Sequence, residues 1–117
     1  MVCADLSKIN VCNREFIQYF ITEARKITDL KGIAVFGSNV RDDCTEGSDI
    51  DIILFSDKTF EGDTYNKQIY DLRVSCATKK IVPLDLVCMR DITELLEGTS
   101  LFCETVRADG FVYFPFR

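Results

Sequence analysis

Histidine is absent from the 117-residue sequence, and basic side chains are fewer than acidic ones. Without histidine there is no Ser-His or Cys-His nucleophilic pair, no histidine general base and no histidine-ligated metal. The 14 basic and 19 acidic residues give a net charge of −5. A nucleic-acid binder usually presents a basic face, so tight nucleic-acid binding is disfavoured. Any chemistry must therefore rely on carboxylates, cations or backbone amides.

Long apolar runs and paired cysteines are also missing. No run approaches the roughly 20 residues that span a bilayer, and residues 1–5 do not open a signal peptide. We therefore expect a cytoplasmic protein that makes no membrane contact. The six cysteines contain no Cys-x-x-Cys pair, and nothing directs the chain to an oxidising compartment. We expect free thiols, with Cys76, Cys88 and Cys103 buried as small hydrophobic residues.

The order of the predicted elements favours an α/β (α+β) fold, in which a mixed sheet has helices packed mainly on one side. The length fits a single domain over residues 1–117 with a real core. Asn13 is expected to cap the first helix, and Leu101, Phe102, Thr105 and Val106 to be buried by the last. Helices are predicted at 13–28, 63–77, after Asp91 and at 99–108, and strands at 33–36, 49–55, 81–89 and 111–114.

Two carboxylates open the otherwise apolar strand at 49–55. Because strand side chains alternate, Asp49 and Asp51 face the same side, with Cα atoms about 7 Å apart. If both are ionised and partly buried, their repulsion and lost hydration are unfavourable unless a cation intervenes. A hard divalent ion such as Mg²⁺ would remove that penalty. A solvated strand end is the alternative interpretation.

A third carboxylate, Asp85, lies among apolar residues on a predicted neighbouring strand. An acid in such surroundings is difficult to explain as packing. Beside Asp49 and Asp51 it would complete a three-carboxylate, two-cation site of the type used for in-line phosphoryl displacement. The alternative is a lysine or arginine that pairs with Asp85.

A Gly37-Ser38 turn directly follows the first predicted strand and precedes polar residues that could form a short helix. Such a turn offers backbone amides and a positive helix end to phosphate oxygens. Ser38 can add its hydroxyl and Arg41, one turn later, its guanidinium. A second pair, Gly47-Ser48, precedes Asp49. Either pair alone could equally be a plain tight turn.

Taken together, Gly37-Ser38, nine intervening positions ending at Gly47, and Ser48-Asp49-Ile50-Asp51 resemble a known signature. It is the Gly-Ser…Ser-Asp-x-Asp pattern of the polymerase-beta-like nucleotidyltransferase superfamily. The length most resembles the minimal nucleotidyltransferase group of bacteria and archaea. The resemblance covers about residues 33–87, and residues 107–113 look like the closing segment of that group.

The resemblance implies an enzyme that uses ATP and two Mg²⁺ ions. Attack of a hydroxyl on the α-phosphorus would release pyrophosphate and leave a nucleoside monophosphate on the acceptor. Many relatives carry Arg-Gly where this chain has Arg41-Asp42, followed by Asp43, and these two acids are electrostatically unfavourable beside a triphosphate. The implied site residues are Gly37, Ser38, Arg41 and Ser48 for the nucleotide, and Asp49, Asp51 and Asp85 for catalysis and metal.

Three functions fit these features. The first is transfer of AMP to a hydroxyl of a protein partner, because the minimal group is often paired with a HEPN-type helical toxin as its antitoxin. The second is a binding module that neutralises a partner by contact, which exposed aromatics in 111–116 would support. The third is transfer to a small molecule, which normally needs an added domain. The acidic balance favours a protein partner over nucleic acid. Both a homo-oligomer and a hetero-oligomer are compatible with the sequence.

Overall fold

The computed structural model of the chain describes residues 6–41, 45, 47–57 and 63–116, with side chains in the last range from residue 67 onward. It has a four-stranded mixed sheet in the order β3-β2-β1-β4. Strand β1 pairs antiparallel with β2 and β4, and β2 pairs parallel with β3. The strands are β1 (Gly32–Phe36), β2 (Ile50–Phe55), β3 (Leu84–Met89) and β4 (Phe111–Pro115), and the helices are α1 (Arg14–Ala24), α2 (Asp63–Ala77), α3 (Ile92–Glu97) and α4 (Leu101–Asp109).

The sheet has an apolar core on each face. The predicted mixed sheet is confirmed, but helices cover both of its faces rather than mainly one. The two longest helices, α1 and α2, pack on one face against Ile52 and Leu54 of β2. The short helices α3 and α4 cover the other face, where Ile53 and Phe55 lie. This alternation is the one predicted for β2, because successive strand side chains point to opposite faces.

Helix α1 follows the predicted apolar stripe, and its buried residues repeat at helical spacing (Phe16, Ile17, Phe20, Ile21 and Ala24). Asn13 was predicted to cap this helix, and it does lie at the N-terminal cap position, but the expected capping by its side chain is wrong. Asn13 occupies the N-cap, but its side chain makes no capping hydrogen bond. It is 2% exposed and instead contacts Asn39 and Lys80.

The two C-terminal helices begin at side-chain caps. The Asp91 carboxylate accepts a hydrogen bond from the Glu94 N–H at 3.0 Å, and the Ser100 hydroxyl accepts one from the Cys103 N–H at 3.2 Å. The expected burial of Leu101 and Thr105 is wrong, because the helix turns Cys103 and Val106 toward the sheet. Leu101 is 80% exposed and Thr105 is also exposed, whereas Phe102 is half-buried and packs against the same core.

The cysteines differ in part from expectation. Cys76 and Cys103 are free and buried, as predicted, but Cys88 is free and exposed because β3 is an edge strand. Cys12 is disulfide-bonded, which corrects the expectation of a free thiol there. Spacing along a chain does not reveal which cysteines meet in space.

None of the helices within the described ranges combines the length and the apolarity that a bilayer span requires.

Candidate active site

Several predicted site residues meet at one end of the sheet, where β1 ends and β2 and β3 begin. The register places Asp51 of β2 between Phe36 of β1 and Asp85 of β3. Because β2 and β3 are parallel and paired in register, the two aspartates share one face, the face that α3 and α4 cover. Asp51 is half-buried and Asp85 is exposed at the edge strand.

The two carboxylates interact directly. Burial raises the pKa of Asp51 above its ordinary value, and the charge of Asp85, a hydrogen bond with Asp85 and the charge of Asp49 raise that pKa further. Only Arg41, among the groups that act on it within the described chain, lowers the pKa of Asp51. The two negative charges repel each other when both carboxylates are ionised, and a bound dication would relieve that repulsion.

Gly37 provides the close approach of the turn to this pair. Its φ is +76°, in the left-handed region where a side chain is strained, and a Cβ there would overlap Oδ2 of Asp51. The turn predicted directly after the first strand is present, and its role toward phosphate stays a prediction. The absence of a side chain lets the backbone after β1 lie directly against the Asp51 carboxylate.

The turn itself is a 3-10 helix of three residues, Gly37–Asn39, and Ser38 is half-exposed on it. The expected short helix is thus too short for a substantial macrodipole, so any anion would be held by individual amides and the Ser38 hydroxyl. Asn10 stabilises the turn through hydrogen bonds to its backbone carbonyls. Its side-chain amide donates to the carbonyls of Ser38 and Arg41, and its N–H donates to the carbonyl of Asn39 at 2.8 Å.

The two remaining predicted nucleotide ligands have protein partners. Arg41 is exposed, and its Nη1 lies 3.3 Å from Oδ2 of Asp109, at the end of α4. The Ser48 hydroxyl accepts a hydrogen bond from the Thr45 N–H at 2.8 Å and lies 3.2 Å from the Thr45 hydroxyl. Ser48 therefore closes a local turn, which is the plain alternative that the sequence left open, and its role toward a nucleotide stays a prediction.

Sequence reasoning missed Asn10 and Asp109. Asn10 reaches Arg41 across 31 positions and Asp109 reaches it across 68, so no local motif could have marked either contact. The sequence marks Asp109 only as a member of residues 107–113, which resemble the closing segment of the minimal group. The two unfavourable acids, Asp42 and Asp43, lie outside the described residues.

The carboxylates near the turn are the candidate ligands for a divalent ion. Within residues 6–41, 45, 47–57 and 63–116, no group of three acidic or cysteine side chains is arranged to hold a metal. The carboxylate pair Asp51 and Asp85 is assembled, whereas exposed Asp49 acts on Asp51 through its charge alone. Mg²⁺ is often held by one or two carboxylates, with phosphate oxygens and water completing its shell. The pair fits such an ion, and the three-carboxylate site stays a prediction.

Comparison with known proteins supports the same chemistry. No curated protein matches the chain significantly. A family model described as a nucleotidyltransferase domain matches residues 17–103, a range that includes the turn after β1 and the aspartates of β2 and β3. Because that match covers most of the chain, the protein belongs to the nucleotidyltransferase domain family and is a nucleotidyltransferase that takes a nucleoside triphosphate as substrate.

Proposed function

We propose that this nucleotidyltransferase is Mg²⁺-dependent and transfers AMP from ATP to a hydroxyl group of a protein partner, acting as one unit over residues 1–117. The observation that carries the proposal is the Asp51–Asp85 pair beside the Gly37 turn. Two like charges paired across strands are unfavourable unless they have a ligand. A Mg²⁺–triphosphate supplies both the dication for the carboxylates and the anion for the amides.

The residues divide into two groups. Asp51 and Asp85 would hold Mg²⁺, with Asp49 joining them once phosphate oxygens complete the shell. The backbone amides at Gly37 and Ser38 would hold the β- and γ-phosphates, with the Ser38 hydroxyl as a further donor. Arg41 would exchange its contact with Asp109 for a phosphate oxygen. Mg²⁺, when bound, supplies neutralisation of the triphosphate charge and of the leaving pyrophosphate.

The transfer is an in-line displacement. A bond forms between the acceptor oxygen and the α-phosphorus as the bond from that phosphorus to the bridging oxygen of the β-phosphate breaks. The acceptor proton passes to Asp85, whose exposed position on the edge strand lets an acceptor approach. The products are pyrophosphate and an adenylylated acceptor, so atoms and charge balance without a further reactant.

A protein acceptor is favoured by charge and size. The net charge of −5 suits a basic protein surface better than nucleic acid. Within the described residues no separate domain is available to bind a small acceptor, which makes transfer to a small molecule the weaker alternative. The group that the sequence resembles suggests a HEPN-type helical protein as partner, with this chain as antitoxin.

Neutralisation by contact alone has less support. That hypothesis drew on an exposed aromatic edge at the C-terminus, but Phe111 and Phe114 of β4 are buried in the two cores and Tyr113 is half-buried. An edge strand whose aromatics pack inward offers little apolar surface to a partner.

The proposal is tested with the purified protein, Mg²⁺, ATP and a HEPN-type helical protein as the acceptor. ATP labelled at the α-phosphate should transfer its label to that protein, with a mass increase of one adenylyl group, and ATP labelled at the γ-phosphate should not. Asp51→Asn should abolish the transfer. Asp57→Asn, at the opposite end of β2 where Lys31 pairs with the carboxylate, is the matched control and should keep it.

Transfer of the γ-label would assign kinase chemistry and contradict the proposal. Neutralisation of the partner by Asp51→Asn as effectively as by the wild type, with no transfer by either, would establish inhibition by contact instead.

A further inference from the structure

We propose that Asn39 and Asn13 are positioning residues that orient the nucleotide-binding turn relative to Asp49, an inference that rests on the proposed function. Both side chains are buried, Asn39 at 0% and Asn13 at 2% exposed. The Asn39 amide donates to the Asp49 carbonyl at 3.1 Å, and the Asn13 amide donates to Oδ1 of Asn39 at 3.0 Å. Lys80 Nζ donates to Oδ1 of Asn13 at 2.9 Å.

These hydrogen bonds form a directional chain, called here the amide relay (Lys80, Asn13, Asn39 and the Asp49 carbonyl). An ammonium group can only donate, so Lys80 requires the oxygen of Asn13 to face it. The Asn13 NH₂ group is then turned toward Asn39, and the Asn39 NH₂ group toward Asp49. Each amide is thus oriented in part by the hydrogen bond that its oxygen accepts, and the relay begins at the half-exposed Lys80.

The relay joins the two halves of the proposed site. Asn39 follows Ser38 in the turn that would hold phosphates, and its side-chain amide donates to the backbone carbonyl of Asp49, the residue directly before β2. The same bond therefore fixes the turn and Asp49 relative to each other. The sequence predicts only a helix cap for Asn13 and no role for Asn39, because a pairing across 26 positions leaves no local pattern.

A purely stabilising role would be served as well by apolar side chains. A buried polar network often contributes no more stability than a well-packed hydrophobic replacement, but it does select one arrangement. Since outer partners that orient metal-site groups affect affinity about 10–100-fold, the relay should act on binding more than on stability.

The test uses Asn39→Leu, Asn13→Leu and Lys80→Met with two readouts. We expect the Kd for Mg²⁺–ATP to rise about tenfold or more in Asn39→Leu and progressively less in Asn13→Leu and Lys80→Met. The second readout is amide exchange at Val40 and Arg41, whose N–H groups bond the carbonyls of Gly37 and Ser38 within the turn. Exchange at both amides should accelerate in the same order.

Ser75→Ala is the matched control. Its hydroxyl links Tyr19 at 2.7 Å and Glu23 at 2.9 Å between α1 and α2, so its loss should lower Tm without changing the nucleotide Kd. If the Asn variants lower Tm as Ser75→Ala does and leave Kd unchanged, the residues are only structural and the proposal is wrong. If Asn39→Leu does not fold, an unchanged Kd in Lys80→Met overturns it.

The experiment distinguishes failure of the proposed function from failure of the amide relay. A wild-type protein that binds no Mg²⁺–ATP contradicts nucleotide binding, and the exchange data still decide the relay. Faster exchange at Val40 and Arg41 in Asn39→Leu than in Ser75→Ala supports it, and equal exchange overturns it.

Discussion

At the scale of single residues, the surroundings of Asp51 make the folding stability of the protein depend on pH. Its carboxylate is half-buried beside Asp85, and both burial and the neighbouring charge raise its pKa. A group whose pKa is higher in the folded state contributes stability that is fully present below its unfolded-state pKa, about 3.9 for aspartate. That contribution is lost as the pH rises through the folded-state pKa. The metal-free protein is therefore destabilised by Asp51 at neutral pH.

Asp51→Asn should consequently stabilise the metal-free protein. We expect the free energy of unfolding at pH 7 to rise by a few tenths to about 1 kcal/mol, because solvent screens part of the repulsion at a half-exposed pair. Urea unfolding at pH 7 and at pH 4 measures it, and the gain should shrink at the lower pH. Asp57→Asn, which loses an exposed pair with Lys31, should give no gain. An equal gain at both pH values would contradict this account.

At the scale of elements, the periodicity of apolar residues predicted which faces are buried but did not predict contacts between distant segments. The period of two along residues 49–55 correctly assigned the faces of β2, and the helical spacing of α1 identified its buried stripe. The periodicity did not predict that the Asn13 side chain bonds Asn39 and Lys80, since local patterns describe one element at a time. Asn10, Asn39 and Asp109 were missed for the same reason, because each acts on a segment distant in sequence.

The turn between β1 and β2 supports a prediction at this scale. Gly37→Ala places a side chain at φ +76° and against the Asp51 carboxylate, so it should lower the free energy of unfolding by about 1–3 kcal/mol and weaken Mg²⁺–ATP binding. Gly110→Ala is the matched control, because its φ of +99° is also strained but a Cβ there meets nothing within 4 Å. Equal losses of stability and binding in the two variants would show that contact with Asp51 has no effect.

At the scale of the whole molecule, the two-sided core keeps the site at one end of the sheet. Helices α1 and α2 cover one face and α3 and α4 cover the other. The candidate residues meet at the end of the sheet where β1 stops and β2 and β3 begin. The mixed sheet followed from the order of elements, but the disulfide at Cys12 did not. A net charge of −5 disfavours the approach of a bare anionic triphosphate, which is consistent with the proposed binding of its Mg²⁺ complex.

The central claim, that Asp51 and Asp85 with the Gly37 turn bind a Mg²⁺–triphosphate, is tested most directly by calorimetric titration. Purified wild-type protein is titrated with ATP in the presence and absence of Mg²⁺, beside Asp51→Asn and Asp57→Asn. The account predicts binding that requires Mg²⁺, disappears in Asp51→Asn and is unchanged in Asp57→Asn. Binding that is equally strong without Mg²⁺ or in Asp51→Asn, or no binding by the wild type, would contradict it.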